Sequence, residues 1–255
     1  MYAAGGVTFE GDYLWDLFGA SVSLDPADEP VMLLDPSATA VRARWAALLA
    51  TVATFLVSWC VAAQYRALPA VTSGELGPVH AQMVLRHTWL DVSQAGPNSP
   101  GMKFEFFLGL DGISVALIVL TTILSISSVL VSWTAIKERA AEFYACLLIL
   151  ETGLIGVFCA FDILLFYVFF EFTLIPLFFL VGIWGGPLRR YAAGKFFVYT
   201  LGGSLITLLG LVSMAVLAMQ ENPLLTTPFS IPDLARSLQI KPLPEATQGV
   251  LFLMI

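Results

Sequence analysis

The chain has 255 residues, of which 58% are hydrophobic and 12% charged, and its formal net charge is -7 at pH 7. Soluble domains carry about 25% charged residues, so this composition argues against a soluble globular protein. The first 40 residues hold seven acidic side chains and no Lys or Arg, whereas the remainder holds 12 basic and 12 acidic side chains. The sequence contains no basic patch of the kind that binds nucleic acid, so a nucleic-acid-binding function is excluded.

The amino-terminal part is distinct from the rest. We predict that residues 1–44 form an acidic extramembrane leader and that residues 45–255 form a transmembrane domain. The leader has no basic region followed by an apolar core, so it does not have the pattern of a signal peptide.

Five apolar stretches reach about the 20 residues that a helix needs to cross a bilayer. A sixth begins at residue 249 and is still apolar at residue 255, so we expect the sequence to be a fragment whose continuation is missing. The apolar runs are continuous and do not alternate, which predicts helices and not a membrane barrel. The expected fold is an all-α polytopic membrane protein with five complete spans and the start of a sixth. The five stretches are residues 45–63, 113–134, 143–161, 163–184 and 196–219.

The connections between spans differ in length and charge. Residues 66–103 and 221–248 are rich in proline, which predicts irregular extramembrane segments. Counting basic residues near the span ends gives seven on one side and four on the other, which places the amino terminus in the cytoplasm. Within the fifth span, the small residues Gly202, Gly203 and Gly210 permit close helix contact. The seven basic residues are Arg42, Arg44, Lys137, Arg139, Arg189, Arg190 and Lys195.

Two glutamates lie inside the predicted spans, where ionisable groups are costly and indicate function. Glu151 and Glu171 flank the turn at Asp162, at depths of about 16 and 14 Å from the same surface, so both lie near the bilayer midplane. One interpretation is a proton relay, and the other is a neutral carboxyl that joins helices by hydrogen bonds. The spacing does not decide whether the two carboxyls face each other.

Three further residues accompany these glutamates. Pro176 removes the hydrogen bond to the carbonyl of Phe172, next to Glu171. Asp111 stands where a helix N-cap is expected, and Asp162 is interpreted as a cap or turn residue. Lys195 either extends to the lipid head groups or is a cation near the carboxyls.

Other chemistry is sparse. His80 and His87 have no ligand partners at metal-binding spacing, and the three cysteines lie in apolar stretches without a CxxC motif. We predict no metal site on this chain and no site for NADH, flavin, haem or an iron–sulfur cluster.

Several segments together resemble the M subunit (chain 4) of proton-pumping NADH:quinone oxidoreductase, an antiporter-like membrane subunit of respiratory complex I. The resemblance covers about residues 41–255. The segments are LGLDGIS at 108–114, IGVF at 155–158, LLFYVFFEFTLIP at 164–176, WGG at 184–186 and KFFVYT at 195–200.

The resemblance implies a fold of about fourteen helices built from two inverted repeats, each with a broken helix. Glu171 matches the family's essential glutamate, which pairs with a lysine on the following broken helix. Asp111 matches a recurrent family acid, and Glu151 and Lys195 match residue types found at those places without a firm role. NADH, FMN, iron–sulfur clusters and quinone would be held by other subunits.

The sequence departs from the family in two places. Its first 40 residues are acidic where the family has a spanning helix, and it stops before the position of the partner lysine. We predict a proton-translocating subunit in a bacterial plasma membrane, with other complex I membrane subunits, lipid and protons as partners. The alternatives are a subunit of a multisubunit Na+/H+ antiporter and a truncated paralogue that does not pump.

Overall fold

The structure of the chain is a computed structural model that describes residues 36–68, 82–92, 102–222 and 225–254. Most of the predicted leader and His80 lie outside the described residues. The chain divides after Thr39, and all contacts described below lie within the second unit, Ala40–Ile255.

The described residues contain seven helices and one pair of strands, and five of the helices are long and apolar enough to cross a membrane. The prediction of a multi-pass membrane protein is therefore confirmed. The elements are α1 (Pro36–Ala67), β1 (Gln82–Asp91), β2 (Lys103–Leu110), α2 (Gly112–Ala135), α3 (Ala140–Cys159), α4 (Ile163–Trp184), α5 (Arg189–Glu221), α6 (Ile231–Ile240) and α7 (Glu245–Met254).

Two of the spanning helices, α1 and α5, begin several residues before the apolar stretches that predicted them. Helix α1 starts at Pro36, nine residues before the predicted span, because proline suits a first helical position and an alanine-rich segment follows it. Helix α5 likewise starts at Arg189, before the predicted residue 196. Alanine and arginine recur at these two starts and are good helix formers, so helix length exceeds the apolar length.

The predicted irregular connection at 66–103 is wrong for residues 82–91 and for residue 103, which lie in strands. Strands β1 and β2 form an antiparallel pair that runs from Gln82 opposite Leu110 to Asp91 opposite Lys103. In β2 the side chains of Glu105 and Phe107 are buried while Phe106 is exposed, which is the alternation of a strand with one covered face. The prolines that suggested an irregular segment lie outside the paired residues.

The predicted irregular connection at 221–248 is also wrong, because it contains α6 and the first residues of α7. Helix α6 has Pro232 in its first turn and buries Leu234 and Ser237 on one side. Helix α7 starts at Glu245, four residues before the predicted sixth span.

Helices α3 and α4 form a tight antiparallel hairpin that carries both glutamates. Gly153 and Gly156 allow the close approach: a Cβ on Gly153 would lie 2.7 Å from Cγ2 of Thr173, and one on Gly156 would enter the ring of Phe169. Around Gly202 and Gly203 no described atom lies within 4 Å of an added Cβ, so the described helices make no close contact there. Gly210 is buried.

One end of the helix bundle, here called the basic end, is joined by side-chain to backbone hydrogen bonds. Arg44 of α1 donates to the carbonyl of Ile136 over 2.8 Å, and Trp184 of α4 donates to the carbonyl of Glu138 over 3.0 Å. A buried cluster lies beside these bonds and joins α1, α2 and α3. It consists of Ala47, Val129, Ala140 and Tyr144.

At the opposite end, an outer layer is formed by the strand pair, the α3–α4 turn at 160–162, residues 225–230 and α6. The backbone NH of Phe161 donates to Phe107 (2.9 Å), and its carbonyl accepts from Ile231 (2.9 Å). The NH of Ile163 donates to Phe229 over 2.8 Å. The turn between the two glutamate helices is therefore held on both sides by segments outside the spans.

Candidate functional site

Glu171 lies at the middle of α4 and contacts α5. Its Oε1 accepts a short hydrogen bond from the hydroxyl of Ser204, and the Tyr167 hydroxyl, one turn earlier on α4, interacts with both. The carboxyl is half-buried in the described structure. Two hydroxyl groups therefore surround one membrane carboxyl, an arrangement that can accept and pass on a proton.

Pro176 lies within α4, one turn after Phe172. Because proline has no NH, the Phe172 carbonyl has no donor at the usual position four residues later. This carbonyl adds an acceptor beside Glu171 on the same helix.

Glu151 lies on α3 and is only 4% exposed. Its carboxyl interacts with the Ser125 hydroxyl of α2, while Oε1 is buried and has no hydrogen-bond partner among the described residues. The partner of Glu151 is on α2 and the partner of Glu171 is on α5. The two carboxyls thus use opposite sides of the hairpin, a point that the sequence left open.

Lys195 is exposed on α5, where its ammonium group lies 5.7 Å from the ring of Tyr191 and 5.8 Å from that of Tyr199. It precedes Ser204 by nine residues, which turns it about 180° around the helix axis. No ion pair joins it to a carboxylate in the part of the chain that the structure describes. The structure therefore does not bring Lys195 and Glu171 together.

Asp111 and Asp162 cap helices, as the sequence analysis expected. Asp111 accepts from the NH of Ser114 over 2.6 Å at the start of α2. Asp162 accepts from Leu164 and Leu165 over 2.9 and 3.1 Å at the start of α4. Burial raises the pKa of Asp162 to about 6, although the two NH donors act in the opposite direction.

A charged cluster in the outer layer was missed by the sequence analysis. Arg86 of β1 donates to Glu105 of β2 over 2.5 Å and to Asp233 of α6 over 2.7 Å. Its guanidinium also lies 4.9 Å from the Phe107 ring centre. The alternation in β2 is the signal that would have placed Glu105 on the buried face.

The pKa values of two of these groups reflect their pairing. Burial opposes the charged form of Arg86, but hydrogen bonds to Asp233 and Glu105 raise its pKa above the ordinary value. Burial alone would raise the pKa of Asp233, yet hydrogen bonds from Thr227, Arg86 and Ser230 lower it overall. The cluster therefore favours both charges and joins the strand pair to α6.

In the described ranges, no group of three or more His, Cys, Asp or Glu side chains is arranged to hold a metal ion. His87 is exposed on β1. His80 cannot be placed beside it, because it lies outside those ranges.

Comparison with known proteins gives a consistent set of relatives. Residues 160–233, which include Glu171 and Ser204, match the family described as NADH:quinone oxidoreductase/Mrp antiporter, TM. The chain is 38% identical over 192 residues to NADH-quinone oxidoreductase subunit M of Rhodobacter capsulatus, which is 75% of this chain and 33% of the relative.

Two more relatives extend this result. NADH-ubiquinone oxidoreductase chain 4 of Chondrus crispus is 39% identical over 185 residues, covering 72% of this chain and 34% of the relative. Subunit M of Rickettsia typhi is 42% identical over 131 residues, which is 51% of this chain and 25% of the relative. The chain spans about a third or less of the length of these relatives. The chain is therefore similar to subunit M of NADH-quinone oxidoreductase over as much as three quarters of its own length, and its residues 160–233 match the NADH:quinone oxidoreductase/Mrp antiporter transmembrane family.

Proposed function

We propose that this chain is part of a proton-translocating membrane subunit of NADH:quinone oxidoreductase, in which Glu171 takes up and releases the transported proton. The observation that carries the proposal is the Glu171 carboxyl held by Ser204 inside the segment that matches the family. A membrane carboxyl with hydroxyl partners can exchange a proton without a large rearrangement.

The remaining parts of the proposal follow from the relatives. The partners are other membrane subunits of the complex and the surrounding lipid, and NADH, FMN, iron–sulfur clusters and quinone are held elsewhere in the assembly. Asp111 caps α2, and Lys195 acts at the membrane surface beside its two tyrosines. We place the protein in a bacterial plasma membrane, with the basic end in the cytoplasm, because basic residues concentrate there.

The test is Glu171→Gln in the intact complex, with NADH oxidation and proton pumping measured separately. We expect NADH oxidation to continue while protons pumped per NADH fall by about tenfold or more, since glutamine cannot release a proton. The control is Glu142→Gln, because Glu142 is an exposed glutamate at the basic end that pairs with Arg139. Unchanged pumping in the Glu171 variant would contradict the proposal.

A second candidate function is a subunit of a multisubunit Na+/H+ antiporter. It is favoured by the family description, which covers both NADH:quinone oxidoreductase and Mrp antiporters. Membrane vesicles containing the chain would then exchange Na+ for H+ without NADH. Under the first proposal, proton movement requires NADH and is independent of Na+.

A further inference from the structure

Helices α2 and α3 present two polar pairs at matching heights. The Ser132 hydroxyl donates to the Tyr144 hydroxyl over 3.3 Å near the basic end. Ser125, seven residues earlier on α2, meets Glu151, seven residues later on α3. Seven residues are about two helical turns, so both pairs belong to one continuous antiparallel interface.

An apolar layer separates these two pairs. Val129 lies midway between Ser125 and Ser132 and is fully buried, in a cluster with Ala47 of α1 and Leu147 and Leu148 of α3. Apolar layers of this kind exclude water, because no group in them replaces its hydrogen bonds. The layer therefore interrupts a proton path between Glu151 and the basic end.

The polar side chains continue on the other side of Glu151. Thr122 is one turn from Ser125 on the same face of α2, and its hydroxyl is 3.1 Å from that of Ser58 on α1. Both of these side chains are buried. Three residues with hydroxyl groups, Ser125, Thr122 and Ser58, thus lie on the side of Glu151 that faces away from the basic end.

The described helices next to Glu151 contain no Lys or Arg at its depth. Helix α2 contains no Asp, Glu, Lys or Arg, and α1 has none between Trp45 and Tyr65. Glu171 of α4 contacts α5 instead. With one carboxyl oxygen unpaired, an ionised Glu151 would be a buried charge without a counterion among the described residues, whereas the neutral acid can donate a hydrogen bond.

We propose that Glu151, Ser125, Thr122 and Ser58 form a second proton-holding site, separate from Glu171 and closed toward the basic end by the Val129 layer. The proton resides on the Glu151 carboxyl, next to the Ser125 hydroxyl, and exchanges on the side of these hydroxyl groups, away from the Val129 layer. Its use in transport rests on the proposed function, but its occupancy by a proton is measurable without pumping.

The test is infrared difference spectroscopy of the membrane-embedded complex that contains the chain, titrated from acid to alkaline pH. We expect the carbonyl band of a protonated carboxylic acid that disappears reversibly as the pH rises and is lost in Glu151→Gln. Ser125→Ala removes a hydrogen-bond partner and is expected to shift this band. The matched control is Ser128→Ala, because the hydroxyl of Ser128 is exposed on the same helix and bonds to the carbonyl of Leu124.

Three results would overturn the proposal. They are a band that is unchanged by Glu151→Gln, a band that persists at every pH, and equal spectra for the Ser125 and Ser128 variants. Loss of the band when Na+ replaces K+ would also overturn it, in favour of a cation site. If Glu151→Gln fails to assemble, the wild-type titration and the two serine variants still decide. The infrared measurement reports only the protonation of Glu151, whereas the pumping test reports the role of Glu171. A negative result in the Glu171→Gln pumping test therefore does not decide whether Glu151 holds a proton.

Discussion

Glu151 and Glu171 lie at similar depths on two adjacent helices, yet their surroundings differ. Glu151 is buried, and its carboxyl interacts with the Ser125 hydroxyl of α2. Glu171 is half-buried against α5 and has one serine and one tyrosine nearby. The difference shows that the depth of a membrane carboxyl does not define its environment, because neighbouring helices on opposite sides supply different partners.

The largest expected effect is that of Gly156→Leu, which removes the common support of both carboxyls. A larger side chain would enter the Phe169 ring and force α3 and α4 apart, at a cost of about 3 kcal/mol or more. We expect a lower unfolding midpoint, measured by tryptophan fluorescence in detergent. The control is Gly202→Leu, whose Cβ meets no described atom. Equal midpoints for the two variants would refute the close packing.

Arg86→Ala tests whether the outer layer supports the turn between the two helices. Glu105 is 8% exposed, and losing its partner costs about 2 kcal/mol. We expect protease cleavage in the strand pair and a lower unfolding midpoint. Arg139→Ala is the control, since Arg139 and Glu142 are both more than half exposed and contribute little. If both variants behave like the wild type, the cluster does not hold the layer.

Asp162→Asn tests how the stability contributed by the same turn depends on pH. The pKa of Asp162 is about 6 in the folded chain and 3.8 ordinarily, so the folded state binds more protons between these values. Stability from this group is therefore present at low pH and decreases as the pH rises toward 6, by about 2 kcal/mol. Asparagine caps a helix equally well, so the variant should lack this decrease.

Unfolding midpoints of both proteins, measured from pH 4 to 7, check this prediction. Asp233 has a lowered pKa and contributes the opposite slope, but it is present in both proteins and cancels in their difference. Parallel curves would show that Asp162 titrates as an ordinary exposed carboxyl.

The smallest effect is expected for Ser204→Ala, which removes one hydrogen bond to Glu171 and leaves the surroundings of Glu151 unchanged. The carboxyl keeps Tyr167 but loses its donor from α5, so we expect pumping per NADH to fall by about twofold to tenfold with NADH oxidation unchanged. Ser213→Ala is matched to it, because that hydroxyl is exposed on the same helix and bonds to Leu209. Equal pumping by the two variants would mean that Ser204 does not act on Glu171.

The sequence predicted the spanning helices because continuous apolar runs are a strong signal. It also predicted the caps at Asp111 and Asp162, since an acidic residue immediately before an apolar helix has a local physical reason. Local sequence patterns were sufficient to predict features that depend only on neighbouring residues, such as an apolar span or the cap at its start.

The outer layer could not be predicted in the same way. Arg86, Glu105 and Asp233 are far apart in the chain and meet only after the strands and α6 have packed. The directions of Glu151 and Glu171 likewise depend on which helix packs on which side, and neither apolar length nor helical spacing contains that information. Prolines outside the strands further concealed the strand signal.

The hydrogen bonds of the α3–α4 turn have a consequence for biosynthesis. Phe107 leaves the ribosome before this turn, whereas Phe229 and Ile231 follow only after α5 has been made. The backbone groups of the turn therefore wait for a late segment to cross the membrane before they are all paired. We therefore expect the hairpin to become fully hydrogen-bonded at this turn only once α5 has been inserted.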